Sequence, residues 1–194
     1  MRVTKLALTN FRSYKNLELE FGSGPVTFIG NNGSGKTNIA ESLIYLAYLS
    51  SHRVSQNLPL LNLGTDQAII RAEIERDDRT LQVDLEINAS KANRARLNQN
   101  PTKSQREILG ALQVIYFSPE DLDLVRGEPT QRRDFLDKLL ITRTPRLAGV
   151  ISDYDRVVRQ RNTLLKTRAP ESSLAPWTEQ LISLGRDIER RVLS

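Results

Sequence analysis

The stretch from residue 28 to residue 49, FIGNNGSGKTNIAESLIYLAYL, decides the fold prediction, because a glycine-rich loop in it separates an apolar segment from an amphipathic one. Residues 30–37, GNNGSGKT, fit the pattern G-x-x-x-x-G-K-[ST] at every fixed position. Glycine permits the backbone angles with which successive N–H groups point inward around phosphate groups. A following helix directs its free N–H groups and its positive dipole end at the same place. The stretch therefore predicts a loop that binds the phosphates of a nucleotide.

The segments on either side supply the context that such a loop needs. Residues 25–29, PVTFI, are expected to form a buried strand, and the apolar residues after the loop recur at helical spacing. The expected nucleotide contacts in the loop are Gly30, Asn31, Asn32, Gly33, Ser34, Gly35, Lys36 and Thr37. Lys36 would reach the β- and γ-phosphates, and the Thr37 hydroxyl would bind Mg²⁺. A chance glycine turn at a helix N-terminus is the alternative, and the combination of strand, loop and helix argues against it.

Composition sets wider limits on the class of protein. The 194 residues are enough for one domain with an appendage, and 39% of them are apolar. The chain has no cysteine, which excludes disulfides and thiolate metal sites and favours the cytoplasm. No apolar run approaches the length of a membrane span, so a membrane partner is not expected. A net charge of +5 favours a polyanionic partner, of which the nucleotide itself is one example.

Strand patterns occupy the N-terminal two thirds of the chain. Alternation of apolar and polar residues, typical of strands with one wet face, is found at residues 3–8, 17–21, 71–76 and 80–88, and a polar piece follows at residues 92–97. Residues 71–76 and 80–88 flank two aspartates and read as a hairpin. This pattern predicts an antiparallel sheet, distinct from a parallel core that is expected around the phosphate loop. Residues 112–117, LQVIYF, form a continuous apolar run and are expected to be a further buried strand.

Helical patterns fill the rest of the chain. A helix is expected from Pro129 to Ile141, followed by two long helices with thin apolar seams and a reversal at residues 166–176. The seam positions are Ile151, Tyr154, Val158 and Leu165, then Leu181, Leu184, Ile188 and Val192. We predict a head lobe at residues 1–143 and a helical arm, an antiparallel hairpin, at residues 144–194. An ordinary helical hairpin packed on the core remains the alternative.

Several blocks, in order from Met1 to about Lys166, resemble the RecF family of bacterial recombination mediators. These blocks are LTNFRSYKNLELEF, GNNGSGKTNIAESLIYL, SSHR, FSPEDLDLVRGEPTQRRDFLD and YDRVVRQRNTLLK. The resemblance implies an α/β fold, the P-loop head of an ABC/SMC-like ATPase, that uses ATP and Mg²⁺. It also implies an ATP-dependent homodimer that binds DNA at gaps or single-strand/double-strand junctions, without sequence specificity. A role in DNA repair and replication follows, with RecR and RecO as partners in loading recombinase.

The resemblance also assigns residues outside the loop. The segment 10–14, NFRSY, lies where related heads contact the nucleotide, so Arg12 and Ser13 are candidate contacts. The alternative for Arg12 is a solvated arginine in a turn. Arg53 matches an arginine-bearing loop of SMC-like heads, where it would face DNA or nucleotide. The adjacent His52 has no ligand partners at metal-binding spacing and is expected to be an ordinary loop residue.

One departure from the ABC pattern concerns the metal. ABC ATPases usually have a glutamine after a core strand, whereas this chain has Ser118-Pro119-Glu120-Asp121. Glu120 or Asp121 would bind Mg²⁺ directly or through water, because hard cations prefer carboxylate oxygen. The alternative is a helix N-terminus, with a serine cap, a proline and acids in the first turn.

A pair of arginines lies further along the chain. Arg132 and Arg133 are candidates for a DNA-facing surface, since arginine neutralises phosphates. No aromatic interleaving or base-reading motif accompanies them, so any contact would be to the DNA backbone. A solvated helix face is the alternative.

The sequence lacks two motifs of a complete ABC head. After the phosphate loop, no four apolar residues precede two acids, and no LSxGQ-like string occurs. We therefore expect an N-terminal fragment or truncated copy that binds ATP without turning it over, although the complete RecF-like protein would be an ATPase. Two other functions remain open: a non-hydrolysing protein-interaction module and the head of another SMC-like ATPase. The short arm argues against the latter, because such proteins carry long coiled coils.

Overall fold

A computed structural model describes residues 1–51, 53–54, 56–77, 79–117 and 129–192. The chain divides into two compact units, residues 1–119 and residues 120–194. This division places the first helix of the C-terminal part with the two helices that follow it. The boundary between residues 143 and 144 stays a prediction.

The first unit is built on a six-stranded antiparallel sheet with the order β2-β1-β3-β4-β5-β6. Its strands are β1 (Arg2–Phe11), β2 (Tyr14–Glu20), β3 (Gln67–Arg76), β4 (Arg79–Asn88), β5 (Arg94–Leu97) and β6 (Asn100–Pro101). Short 3₁₀ turns lie at Leu58–Leu60 and Gln105–Ile108. The hairpin of β3 and β4 pairs Arg76 with Arg79, and its register runs without a break to Gln67 and Asn88. The predicted antiparallel sheet is therefore confirmed, whereas the expected parallel core is not found among the described residues, where β1 and β2 belong to this same antiparallel sheet.

One face of this sheet forms the core, because apolar residues alternate along the strands. In β3 the sequence QAIIRAEIER buries every second side chain from Ala68 to Ile74, and β4 does the same from Val83 to Ile87. Helix α1 (Lys36–Tyr48) contributes Ile39, Tyr45 and Leu46 to the same apolar cluster. The phosphate loop immediately precedes α1. The packing of α1 against the buried face of the sheet therefore fixes the position of the loop.

Two segments that were expected to be buried strands are not. Residues 25–29 and 113–117 belong to no strand, and Ile29 and Ile115 are 93% and 99% exposed. Residues 113–117 contact α1, since the Tyr48 hydroxyl donates a hydrogen bond to the Val114 carbonyl (2.6 Å). A strand needs a neighbouring strand to pair its backbone groups, and within the described ranges neither segment has one. An apolar run alone predicts burial but cannot supply that neighbour.

In its described residues, 129–192, the second unit forms the helices α2 (Pro129–Arg143), α3 (Leu147–Lys166) and α4 (Glu171–Val192). Helices α3 and α4 pack against each other, with Tyr154 beside Gly185 and Arg161 Nε donating to Thr178 Oγ1 (3.1 Å). These two contacts define an antiparallel register, as predicted for the helical arm.

The prediction differs from the structure in two details of this helical pair. The reversal is shorter than residues 166–176, because α4 begins at Glu171 and includes Pro176. Proline lacks an N–H and so forfeits one helical hydrogen bond, but the helix continues through it. The buried residues of α3 are Leu147, Ile151 and Val157, so the seam position Ile151 is buried, but Val157 is buried in place of the expected Val158, which is only half-buried.

Candidate functional site

The phosphate loop owes its shape to glycines in the left-handed region. Gly33 has φ 80° and Gly35 has φ 93°, and Gly35 precedes the first residue of α1. Among the residues that the structure describes, no side chain caps α1, and its first turn contains no acid. The free N–H groups and positive dipole end of the helix therefore remain available to an anion.

A second constraint on Gly35 comes from the turn between β1 and β2. A Cβ atom at Gly35 would lie 2.7 Å from Ser13 Oγ and 2.9 Å from Tyr14 Oη. The Tyr14 hydroxyl also donates a long hydrogen bond to the Ser34 carbonyl (3.4 Å). The turn thus packs directly against the phosphate loop, and only glycine fits at the point of contact.

The lysine and the threonine of the G-K-[ST] pattern lie in different environments. Lys36 Nζ donates to the carbonyls of Gly30 (2.8 Å) and Asn31 (2.7 Å) and, at 3.4 Å, to Ser34 Oγ. Its ammonium group therefore sits within the turn of the loop, where phosphate oxygens would meet it. Thr37 lies in the first turn of α1 and is exposed.

Arg12 is held by a buried carboxylate on α1. Its Nε and Nη2 atoms donate to the two oxygens of Glu41 (2.9 and 2.6 Å), and its Nη1 donates to the Pro59 carbonyl (2.7 Å). The Arg12 side chain is 15% exposed and that of Glu41 is 0% exposed. The interpretation of Arg12 as a solvated turn residue is therefore wrong. Contact between Arg12 and a nucleotide stays a prediction. Three of the five N–H donors of Arg12 are used by Glu41 and Pro59, which leaves two for a ligand.

Glu41 also receives contacts from the loop after α1. Ser51 Oγ donates to Glu41 Oε1 (2.6 Å), and Arg53 Nη1 lies 3.6 Å from Glu41 Oε2. Burial raises the pKa of Glu41, but hydrogen bonds from Arg12 and Ser51 and the charges of both arginines more than offset it. The net pKa lies below its ordinary value, so Glu41 is ionised at neutral pH.

A cleft of about 590 Å³ adjoins the N-terminus of α1. Its lining includes Arg12, Ser13, Asn38, Arg53, Leu58 and Leu61. Asn38 links two of these residues, since its Nδ2 donates to Ser13 Oγ (3.1 Å) and its Oδ1 accepts from Arg53 Nη1 (3.2 Å). The cleft combines cationic and amide groups with apolar walls, which is typical of small-molecule sites.

The structure brings together some of the residues assigned from the sequence. The loop residues 30–37 and Ser13 are adjacent, and Arg12 and Arg53 line the cleft beside them. Arg132 and Arg133 are exposed on α2 of the second unit. Three residues assigned or discussed from the sequence, His52, Glu120 and Asp121, lie outside the described residues.

The sequence analysis missed Tyr14, Asn38, Glu41 and Ser51, which join the loop to its surroundings. Only Glu41 left a signal in the sequence, as an acid among the apolar residues of an amphipathic helix. The others are polar residues in or near turns, and their roles depend on which segments lie next to them.

The fold and the loop define an α/β P-loop ATPase head of the ABC/SMC-like class. The family described as AAA domain matches residues 5–162, so the chain belongs to that family. A solved structure described under ATP-driven dimerization and DNA-stimulated activation of SMC ATPases superposes with a TM-score of 0.58 at 22% identity, covering 71% of this chain and 98% of that one. That likeness supports the fold.

Along nearly its whole length the chain is similar to RecF, which confirms the resemblance found in the sequence. It is 48% identical to the DNA replication and repair protein RecF of Kineococcus radiotolerans and 53% identical to that of Frankia alni, each over 97% of this chain. It covers 50% and 52% of those proteins, and thus spans about half the length of the curated relatives it matches.

A solved structure gives the same result for the fold. The structure of the recombination mediator protein RecF-ATPrS in the RecFOR pathway superposes with a TM-score of 0.88 at 27% identity. The match covers 98% of this chain and 53% of that one.

The described residues contain no membrane-spanning helix and no cluster of metal ligands. No helix in those ranges is both long and apolar enough to cross a membrane. No group of three or more His, Cys, Asp or Glu side chains there could hold a metal ion.

Proposed function

We propose that this chain binds ATP with Mg²⁺ and is the nucleotide-binding part of a DNA repair and replication protein of the RecF type. The observation that carries the proposal is the joint geometry of Gly33, Gly35 and Lys36 at the uncapped N-terminus of α1. Backbone N–H groups, a helix dipole and an ammonium group converge on one small region, and polyphosphate is the ligand that uses all three.

The nucleotide's contacts follow from this arrangement. The β- and γ-phosphates would replace the Gly30 and Asn31 carbonyls as partners of the Lys36 ammonium. The Thr37 hydroxyl would hold Mg²⁺, whose charge offsets that of the phosphates. The cleft of about 590 Å³ beside the loop is large enough for the nucleoside, and Leu58 and Leu61 give it apolar walls.

Turnover of ATP needs groups that this sequence does not supply. Downstream of the loop, the chain has no four consecutive apolar residues followed directly by two acids, and no LSxGQ-like string. Phosphoryl transfer requires a positioned water and charge neutralisation in addition to phosphate binding. The chain alone therefore binds ATP without efficient hydrolysis, and ATPase activity belongs to a composite of this part with further segments.

The test is titration calorimetry of ATP-Mg²⁺ against the wild-type chain and Lys36→Met. Methionine has similar length but no charge, so binding should fall by tenfold or more, the loss of about 1.5–3 kcal/mol expected for charged hydrogen bonds. Lys103→Met is the matched control, because Lys103 is exposed in the turn after β6. Equal affinity of the Lys36→Met variant and the wild type would refute the proposed site.

DNA is the second ligand that we propose, on the strength of the RecF relatives and the basic net charge of +5. Contacts would run through Arg53, Arg132 and Arg133 to the DNA backbone at gaps or junctions, without sequence specificity. Dimerisation with ATP, cooperation with RecR and a cytoplasmic location complete the proposal for the whole protein.

A further inference from the structure

The last two strands of the sheet and the connection before them carry a group of exposed cations. The sequence has no aspartate or glutamate from residue 87 to residue 106, although the whole chain carries 23 acids against 28 Lys and Arg. Positive charge is therefore concentrated in this stretch. We call its exposed cations on and beside β5 and β6 the basic edge, which consists of Lys91, Arg94, Arg96 and Lys103.

Strand pairing brings the cations of the basic edge together. Ala95 is buried, so its neighbours Arg94 and Arg96 both point to the opposite, exposed face of β5. The backbone N–H and the side-chain hydroxyl of Thr102 donate to the Ala95 carbonyl (3.0 and 3.1 Å). Because β5 and β6 are antiparallel, the residue after Thr102, Lys103, lies beside Arg94.

The neighbouring acids do not neutralise the two arginines. In the register of β4 and β5, Asp84 is opposite Arg96 and Glu86 is opposite Arg94. Asp84 Oδ1 instead accepts a hydrogen bond from Arg71 Nε on β3 (3.0 Å). Within the part of the chain that the structure describes, neither Arg94 nor Arg96 forms an ion pair. Their charges thus remain for an external anion.

The connection from β4 to β5 is held in one shape by asparagines. Asn93 Oδ1 accepts from the Asn88 backbone N–H (3.0 Å) and from Asn57 Nδ2 (3.0 Å), which also donates to the Asn88 carbonyl (3.1 Å). These bonds fix the backbone that carries Lys91 and leads into Arg94. A backbone that is already ordered has less conformational freedom to lose when a ligand binds.

The composition of the stretch favours one kind of polyanion. Cations that neutralise the phosphates of DNA release its counterions, which drives binding. Residues 87–106 contain no aromatic residue. Proteins that bind single-stranded DNA stack its bases on aromatic side chains, whereas contacts to the backbone of a duplex need only charged and polar donors. The basic edge therefore fits the duplex better than the single strand.

We propose that the basic edge binds the phosphate backbone of duplex DNA. This inference rests on the DNA binding proposed above, and it gives that binding a surface that includes none of the three arginines named there. The contacts are to phosphates and do not read bases, so duplexes of different sequence bind alike.

The test is fluorescence anisotropy of a labelled duplex over a series of salt concentrations, with the wild-type chain and the double variant Arg94→Gln/Arg96→Gln. Each phosphate contact contributes about 0.9 to the slope of log K against log salt concentration, so the loss of two should make the slope less steep by about 2. At low salt concentration the affinity of the double variant should fall about tenfold or more. The loss should be smaller for a single strand of the same length.

Two further double variants separate charge at this place from net charge and from loss of structure. Arg76→Gln/Arg79→Gln removes the same charge from two exposed arginines that face each other at the β3–β4 turn, and it should leave the slope unchanged. Arg94→Lys/Arg96→Lys keeps the charge of the basic edge and should keep the slope, because phosphate neutralisation depends on charge.

Each outcome bears on a different claim. An unchanged slope in Arg94→Gln/Arg96→Gln, or an equal loss in the control pair at the β3–β4 turn, would overturn the inference and leave DNA binding by other residues intact. A larger loss for the single strand than for the duplex would overturn the assignment to duplex DNA. If the wild-type chain binds no DNA at low salt concentration, the proposed DNA binding fails and the inference fails with it.

A second pair of substitutions keeps the inference testable if the first pair does not fold. Lys91→Gln/Lys103→Gln removes two exposed lysines of the basic edge that lie outside the strands. It should also make the slope less steep by about 2. A slope equal to that of the wild type would count against the basic edge in the same way.

Discussion

Replacing Gly35 with alanine tests the most tightly constrained point of the phosphate loop. Gly35 has φ 93°, which costs an L-residue about 1–2 kcal/mol. The new Cβ would also lie 2.7 Å from Ser13 Oγ and 2.9 Å from Tyr14 Oη. Forcing an extra methyl group into a packed contact costs about 1–3 kcal/mol more. The expected loss of stability for Gly35→Ala is therefore about 2–5 kcal/mol.

Two other glycines separate the backbone contribution from the contact contribution. Gly33 has φ 80°, but nothing lies within 4 Å of a Cβ placed there, so Gly33→Ala should cost only about 1–2 kcal/mol. Gly22 has neither a positive φ nor a neighbour within 4 Å. Gly22→Ala should be neutral or stabilise by up to about 1 kcal/mol, since alanine restricts the unfolded chain.

The assay must report on the first unit alone, because the two units need not unfold together. Urea titration with pulsed hydrogen exchange, read on peptides of β3 and β4, measures the free energy of unfolding of the sheet. The expected order of stability is Gly22→Ala, then Gly33→Ala, then Gly35→Ala. If Gly35→Ala were as stable as Gly33→Ala, the packing of Ser13 and Tyr14 against the loop would be wrong.

Two further predictions concern charge. Glu41→Gln should destabilise the first unit by about 3–5 kcal/mol at pH 7, because it leaves Arg12 without its buried counter-charge. The pKa of Glu41 is lower in the folded chain than in the unfolded chain. The stability that the ionised carboxylate contributes is therefore fully present above the pKa of the unfolded chain, and it is lost as the pH falls through the pKa of the folded chain. The difference in free energy of unfolding between wild type and Glu41→Gln, measured by urea titration, should thus become smaller below about pH 4. A difference that does not change with pH would contradict the pairing of an ionised Glu41 with Arg12. The other prediction concerns DNA, whose binding can be followed by fluorescence anisotropy with a gapped duplex. The affinity should fall steeply as the salt concentration rises. Replacing both Arg132 and Arg133 with alanine should make the slope of log K against log salt concentration less steep by about 2. The control is Arg79→Ala, because Arg79 is an exposed arginine at the start of β4. An unchanged slope in the double variant would show that α2 is not part of the DNA-facing surface.

The sequence by itself determined the elements whose signals are local. Alternation over residues 71–76 and 80–88 predicted the hairpin, because side chains of a strand point to opposite faces in turn, and the structure extends the two strands to Gln67–Arg76 and Arg79–Asn88. The phosphate loop was predicted from its glycines, Lys36 and Thr37, because its chemistry depends on residues that are next to one another in the chain. The helices of the second unit were predicted for the same reason, with their ends displaced at the reversal before Glu171.

Only the tertiary structure decided which of these segments meet. Residues 25–29 have the composition of a buried strand, but burial requires a neighbouring strand that their own sequence cannot specify. Arg12 looked like a ligand contact or a solvated residue, and its actual partner, Glu41, lies 29 positions away. Composition and periodicity act over a few residues, whereas an ion pair forms wherever the fold brings two charges together in a place that water does not reach. The pairing of Arg12 with Glu41 is therefore a property of the folded chain.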